Sequence, residues 1–134
     1  MPYVKQEIRQ QLEEKPDSAF YPGELNYVLT NIILHSLGHD GCPHEWDQEV
    51  VTHLIKRAVD SYVAKNGRRY ATYNDIFGVL ACIAMEMARR DEISVEEQQQ
   101  KVIPLIGDFM KSYYQFVVEP YEEEKIKENG DVYR

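Results

Sequence analysis

Apolar residues recur at helical spacing along most of the chain, and this pattern predicts its elements. Val4, Ile8 and Leu12 repeat every four residues, as they would on one face of an amphipathic helix. Prolines and glycines separate this stretch from the following ones. The predicted helices are residues 3–15, a second from Glu24 to Leu37, a third from about His44 to Lys65, a fourth from Thr72, a fifth opened by Ser94, and a short sixth from Pro120 to Asn129.

Polar residues at the starts of these stretches support the assignment. Ser94 and Glu97 have the spacing of a capping box, in which each side chain bonds the backbone N–H of the other residue. Thr72 and Asp75 form a similar but weaker pair, so we expect the fourth helix to begin at Thr72. Pro104 lacks a backbone donor and predicts a kink or a split in the fifth helix.

The inward-facing positions follow from the same periodicity. The third helix is expected to bury an apolar stripe that includes Val50 and Leu54, and the fifth a stripe that includes Phe116. No segment alternates polar and apolar residues for long enough to predict a strand. The sequence therefore predicts an all-α fold, a compact bundle of about five helices plus a short C-terminal helix and tail. We expect a single domain, 1–134, from which residues 120–134 project as an arm.

Composition excludes several classes of protein. Of the 134 residues, 43% are hydrophobic, which is too many for a wholly disordered chain. No apolar run reaches the roughly 18 residues that a membrane span requires, and the polar N-terminus is unlike a signal peptide. The net charge of −8 disfavours binding to the phosphate backbone of a nucleic acid. Cys42 and Cys82 are too few for a disulfide framework, so we expect a cytoplasmic protein.

Four residues around the second interhelical break suggest a zinc site. His35, His39, Cys42 and His44 offer imidazole and thiolate groups, which zinc prefers, at short spacings along the chain. The spacing fits no standard zinc finger. In the alternative interpretation the two loop histidines are solvated and Cys42 packs as a small apolar residue.

Four glutamates suggest a magnesium site of the kind found in all-helical nucleotide pyrophosphatases. Mg²⁺ prefers hard oxygen ligands together with substrate phosphates, and Glu24, Glu45, Glu49 and Glu86 could supply carboxylates from several helices. Glu86 is notable because it lies within an apolar stretch, where an unpaired carboxylate would be costly. The ordered acidic motif of those enzymes is absent, and the alternative is that Glu86 pairs with Arg89 or Arg90 at the helix surface.

Tyrosine is abundant, with ten in the chain, and many lie near predicted helix ends. Tyrosine buries its ring while its hydroxyl keeps a polar partner, which suits both core edges and protein interfaces. One interpretation is therefore a core edge held by phenol hydrogen bonds. The other is a helical interface between copies of the chain, and we expect a homo-oligomer, with a dimer favoured.

Several segments are similar to a known group of proteins: MPYVKQEIR at the start, PGELNYVLTNIIL at 22–34, YATYNDIFGVL at 70–80 and PYEEEKIKENGDVYR at the end. They resemble a family of small uncharacterised helical proteins from bacteria and their phages, described as a domain of unknown function. The resemblance implies a small, helical, cytoplasmic protein of bacterial or phage origin. It assigns no catalytic residues.

The favoured functional hypothesis is a non-enzymatic helical module that mediates protein interaction or self-association. It depends on the helical patterning, the tyrosine content and the lack of a phosphate-binding glycine loop or a nucleophile elbow in the sequence. The competing hypothesis is a metal-dependent protein with either the zinc or the magnesium site above.

Overall fold

A computed structural model describes residues 4–38, 45–89 and 93–130, and over these residues the backbone is helical with no β-strand. The prediction of an all-α fold is therefore confirmed. The first four helices are α1 (Gln6–Glu14), α2 (Pro22–Ser36), α3 (Gln48–Asn66) and α4 (Tyr70–Arg89), with a 3₁₀ turn at Pro16–Ser18. None of the described helices is long and apolar enough to cross a membrane.

The remainder of the described chain is one long helix, α5 (95–129), built from five consecutive helical segments. They are α-helical Val95–Glu97, π-helical Gln98–Val102, α-helical Ile103–Tyr113, π-helical Tyr114–Val118 and α-helical Glu119–Asn129. The junction residues all have right-handed helical backbone angles. The chain is therefore not divided into separate helices at Pro104 or Pro120, although a π turn before each proline interrupts the α-helical hydrogen bonding and an α-helical segment begins at Glu119.

The two π turns explain how α5 continues through its prolines. Proline removes the hydrogen bond that its N–H would make to the carbonyl four residues earlier. In each case the residue before the proline bonds five residues back instead: the N–H of Ile103 to the carbonyl of Gln98, and that of Glu119 to the carbonyl of Tyr114. The wider turn accommodates the missing donor without ending the helix.

Side-chain caps mark where α2 and α3 begin. Glu24 accepts the N–H groups of Phe20 at 2.9 Å and Tyr21 at 3.2 Å, which closes the first turn of α2. Asp47 accepts the N–H groups of Glu49 and Val50 at the start of α3. Such caps satisfy backbone donors that have no partner within the helix.

The Ser94–Glu97 capping box is confirmed at the start of α5, where the Glu97 N–H donates to the Ser94 hydroxyl at 3.0 Å. The pair predicted for α4 is wrong, because α4 begins at Tyr70 and Thr72 is buried. The Asp75 carboxylate instead accepts the Tyr62 hydroxyl of α3 at 3.1 Å.

One hydrophobic cluster joins the helices. α2 packs against both α3 and α4, and α5 packs against α4 and α3 from the other side. The residues at its centre with no exposed surface are Leu25, Leu29, Ile33, Ile55, Val59, Ile76, Leu80, Val102 and Leu105. Burying a side chain of this size contributes about 1.5–3 kcal/mol, so these inner faces set most of the stability of the fold.

Three residues that the sequence predicts to face inward are exposed instead. Val50 and Leu54 on α3 are 54% and 37% exposed, because the buried stripe of this helix is narrower than its apolar pattern. Phe116 on α5 is 71% exposed. It lies within the second π turn, which adds a residue to the turn and brings Val118 into the core in its place.

The last described segment, Glu119–Asn129, contains no fully buried residue. Its first half contacts the start of α4: the rings of Tyr121 and Tyr73 meet edge to face at 5.2 Å, and Arg68 lies 3.7 Å from Glu124. The predicted arm is therefore attached to the bundle through Tyr121 and Glu124, and residues 131–134 lie outside the described part of the chain.

Candidate functional site

The residues of the predicted zinc site are mostly outside the described part of the chain. His39, Cys42 and His44 fall between α2 and α3 in the range that the structure does not describe. His35 lies in the last turn of α2 with an exposed side chain. The zinc hypothesis stays a prediction.

The four glutamates of the predicted magnesium site occupy separate structural positions. Glu24 caps α2, whereas Glu45 and Glu49 are exposed at the start of α3. Glu86 is partly exposed on α4, and its carboxylate accepts a hydrogen bond from the Arg89 guanidinium at 3.4 Å. Among residues 4–38, 45–89 and 93–130, no group of three or more His, Cys, Asp or Glu side chains is placed to hold a metal ion. The described geometry adds no support to the magnesium hypothesis.

The tyrosines follow the core-edge interpretation in three described cases. The hydroxyl of Tyr27 donates to Glu13 at 2.7 Å, that of Tyr62 to Asp75 at 3.1 Å, and that of Tyr114 to Glu122 at 2.9 Å. Burial and the neighbouring Asp75 carboxylate raise the pKa of Tyr62 above its ordinary value. The phenols of Tyr27 and Tyr62 connect neighbouring helices, whereas that of Tyr114 connects two turns of α5 and leaves its ring 43% exposed.

A groove between α3 and α5 brings together polar side chains of two described helices. It has a volume of about 450 Å³, its floor is Phe109, and its walls carry Thr52, His53 and Lys56 from α3 and Asp108 and Ser112 from α5. Two of its charged groups have partners within the chain. Lys56 pairs with Asp60 at 2.9 Å, and Asp108 accepts the Gln48 amide at 3.1 Å. The groove thus has neither a net charge pattern nor a buried polar group that selects a ligand.

The opposite flank of α5 and the outer face of α4 differ from that groove because each carries a stripe of uncharged residues along its middle turns. On α4, Asn74, Gly78, Ala81 and Met85 follow each other at spacings of four, three and four residues. On α5, Ile103, Gly107, Met110 and Tyr114 repeat the same spacing. Residues so spaced lie on one face of a helix. We call these eight residues the α4–α5 surface.

Exposure shows that this surface faces solvent. Met85 is 65% exposed, Ile103 49% and Tyr114 43%. The two glycines and Asn74 are also exposed, and Ala81 and Met110 are partly so. Large apolar side chains exposed together mark interaction sites more often than isolated ones do.

Contacts between the helices place the two stripes on the same side of the bundle. α5 meets α4 through Phe77, whose ring centre lies 6.1 Å from that of Tyr113, and through the Gln98 amide, which donates to the Ala84 carbonyl at 3.1 Å. It meets α3 with its other flank, through Asp108. Because each residue turns a helix by about 100°, the stripe from Ile103 to Tyr114 faces away from α3, alongside the outer face of α4.

Charged residues border the α4–α5 surface, and the Glu122 carboxylate reaches its edge by accepting the Tyr114 hydroxyl at 2.9 Å. Of the charged residues of α4, Asp75 bonds to Tyr62 on α3, and Glu86 and Arg89 contact each other near the end of the helix. Lys111 is exposed beside Met110 on α5. An apolar centre with a charged rim is the usual arrangement of a protein–protein interface.

The periodicity that predicts the buried faces of the helices does not reveal this surface. The detectable signal was the 4-3-4 spacing of uncharged residues on the side of α4 opposite its core stripe. Comparison of the chain with protein-family models, with curated proteins and with solved structures finds no match. The functional argument therefore depends on the α4–α5 surface itself.

Proposed function

We propose that the protein is a non-enzymatic helical module that self-associates, as a homodimer, through the α4–α5 surface. The observation that carries this proposal is the uncharged outer face shared by two adjacent helices of an otherwise charged protein, with Met85 and Ile103 about half exposed or more. Covering such a face removes apolar area from water, which is favourable at about 25 cal/mol per Å² before the costs of association.

The size of the surface suits a second copy. Helix α4 has 20 residues and is therefore about 30 Å long, and α5 runs beside it at about 10 Å between the axes. Over their whole length the outer faces of two such helices present a footprint of about 600 Å² per chain, of which the eight residues of the α4–α5 surface cover about the central half. Two copies joined over this whole footprint would bury about 1,200 Å² in total, which is the lower limit for specific, stable interfaces.

Charge also favours this face for self-association. Each chain carries a net charge of −8, so two copies repel each other wherever their charged surfaces meet. The α4–α5 surface brings together no like charges at its centre. The repulsion that remains comes from the rest of each chain and is screened by salt, so we expect a dimer that strengthens as ionic strength rises.

Sedimentation velocity at about 1 to 100 µM tests this proposal. We expect the wild type to pass from monomer to dimer in this range and Met85→Glu to remain monomeric, because a carboxylate would be desolvated in the apolar centre. The matched control is Val50→Glu, which changes an apolar residue of α3 that is 54% exposed and should leave dimerisation intact.

A wild type that stays monomeric at the highest concentration would overturn the proposal. Equal loss of the dimer in both variants would overturn the assignment to this surface. Circular dichroism of each variant shows whether the helical content is retained, so that misfolding is not mistaken for loss of contact.

A further inference from the structure

Two glycines in the middle of helices have no explanation within a single chain. Gly78 lies in α4 and Gly107 in α5, and neither has a positive φ. A Cβ atom added at either position would meet nothing within 4 Å. Neither the backbone conformation nor a neighbouring helix therefore requires glycine there, and glycine within a helix is destabilising relative to alanine.

Both glycines belong to the α4–α5 surface and lie at similar heights on it. α4 and α5 are antiparallel, since Gln98 early in α5 contacts Ala84 late in α4, and Tyr113 later in α5 contacts Phe77 earlier in α4. Gly107 lies between the two α5 contacts, and Gly78 lies between the two α4 contacts. At about 1.5 Å per residue, the Gln98 contact places them about 4.5 Å apart in height and the Tyr113 contact about 7.5 Å apart, which is about one to one and a half helical turns.

The surface thus has a hollow beside a ridge. The hollow is formed by the two glycines and Ala81, which have little or no side chain. The ridge is formed by Met85 and Ile103, which are 65% and 49% exposed. An interface between identical copies related by a twofold axis must be complementary to itself, and a ridge beside a hollow of similar size satisfies that requirement.

We infer that the partner of this surface is a second copy placed so that Met85 of each chain enters the Gly78–Ala81–Gly107 hollow of the other. This inference rests on the proposed self-association and specifies its geometry. It accounts for both glycines, because a side chain at either position would occupy the space that methionine fills. Methionine suits the role, since its flexible, unbranched side chain adapts to irregular cavities.

Gly78→Ala and Gly107→Ala give a test in which the stability of the monomer and the affinity of the dimer change in opposite directions. In the dilute monomer each change should raise the melting temperature by about 3 °C, because alanine favours the helix and the added methyl meets open space. The dissociation constant of the dimer should rise by about fivefold or more, because the methyl overfills the hollow. A variant that failed to fold could not produce the first result.

Gly23→Ala is the matched control. Gly23 lies in the first turn of α2, away from the surface, and a Cβ there also meets nothing within 4 Å. This change should leave the dimer unaffected.

A second test combines Met85→Ala with Gly107→Leu. Each single change should raise the dissociation constant of the dimer. The double variant should raise it by less than the product of the two single increases.

The outcomes separate this inference from the proposed function. If the wild type dimerises and Met85→Glu abolishes the dimer, but both glycine variants dimerise as the wild type does, self-association stands and the ridge-and-hollow geometry is wrong. If the wild type is monomeric throughout, both are wrong. Weaker dimers from both glycine variants, with a higher melting temperature of the monomer, support both.

Discussion

α3 and α4 bury similar inner faces but present different outer faces. Ile55 and Val59 on α3 and Ile76 and Leu80 on α4 have no exposed surface. On the outside, α3 exposes His53, Lys56, Arg57 and Asp60, whereas the outer face of α4 exposes Asn74, Gly78, Cys82 and Met85. The two helices thus differ mainly on the side that faces solvent, where α3 is charged but also exposes Val50 and Leu54.

The comparison teaches which part of each helix is explained by folding alone. The inner faces are apolar because the bundle requires them to be. A charged outer face such as that of α3 is the ordinary result of exposure to water. The uncharged outer stripe of α4 contributes no fully buried residue to the core, and its exposed methionine and glycine are the features for which we propose contact with a second copy.

The largest expected effect tests the equivalence of the inner faces. Ile55→Ala on α3 and Leu80→Ala on α4 should each lower the free energy of unfolding by about 3 kcal/mol, because each removes a completely buried side chain and leaves a cavity. Urea denaturation followed by circular dichroism measures this. A cost below about 1 kcal/mol at either site would show that the two inner faces are not equivalent.

An intermediate effect concerns the start of α3. Asp47→Ala should lower the free energy of unfolding by about 1 kcal/mol, since the carboxylate accepts the N–H groups of Glu49 and Val50. Thermal unfolding of the monomer at low concentration measures the change. Asp47→Asn, which keeps a side-chain acceptor, is the control and should retain most of the stability. Equal losses in the two variants would contradict the capping role.

The smallest effect tests the outer face of α3. Lys56→Ala breaks the exposed ion pair with Asp60, which lies one helical turn further along α3. The Lys56 Nζ is 2.9 Å from the Asp60 carboxylate. Exposed pairs of this kind contribute about 0.3–0.5 kcal/mol, so the melting temperature should change by about 2 °C or less, and dimerisation should not change. A large loss of dimer in Lys56→Ala would place the interface on α3 and remove the distinction between the two faces.

The sequence predicted the fold class and most inner faces because both depend on local periodicity. A stripe such as Val51, Ile55, Ala58, Val59 and Tyr62 is visible in the sequence and is buried in the structure. The capping box at Ser94 and the ion pair between Glu86 and Arg89 are also local, and both are confirmed. Each involves residues three or four positions apart.

The errors arose where a local signal competes with a longer-range one. Pro104 and Pro120 normally end helices, but packing of α5 against α4 and the π turns keep the helix continuous. The π turn before Pro120 also turns Phe116 outward. Thr72 has the sequence of a helix start, yet the helix begins two residues earlier and buries it. In each case the surrounding structure outweighs a local preference for ending or starting a helix, which is worth about a few kcal/mol or less.

By itself, the sequence determined that the chain forms helices and which faces of most of them are apolar. Only the tertiary structure decided that the outer stripes of α4 and α5 lie side by side, and that the glutamates suggested for magnesium occupy separate positions. The physical reason is that periodicity fixes the direction of a side chain relative to its own helix. Whether two such directions coincide depends on how distant helices pack, and that arrangement is set by the whole core.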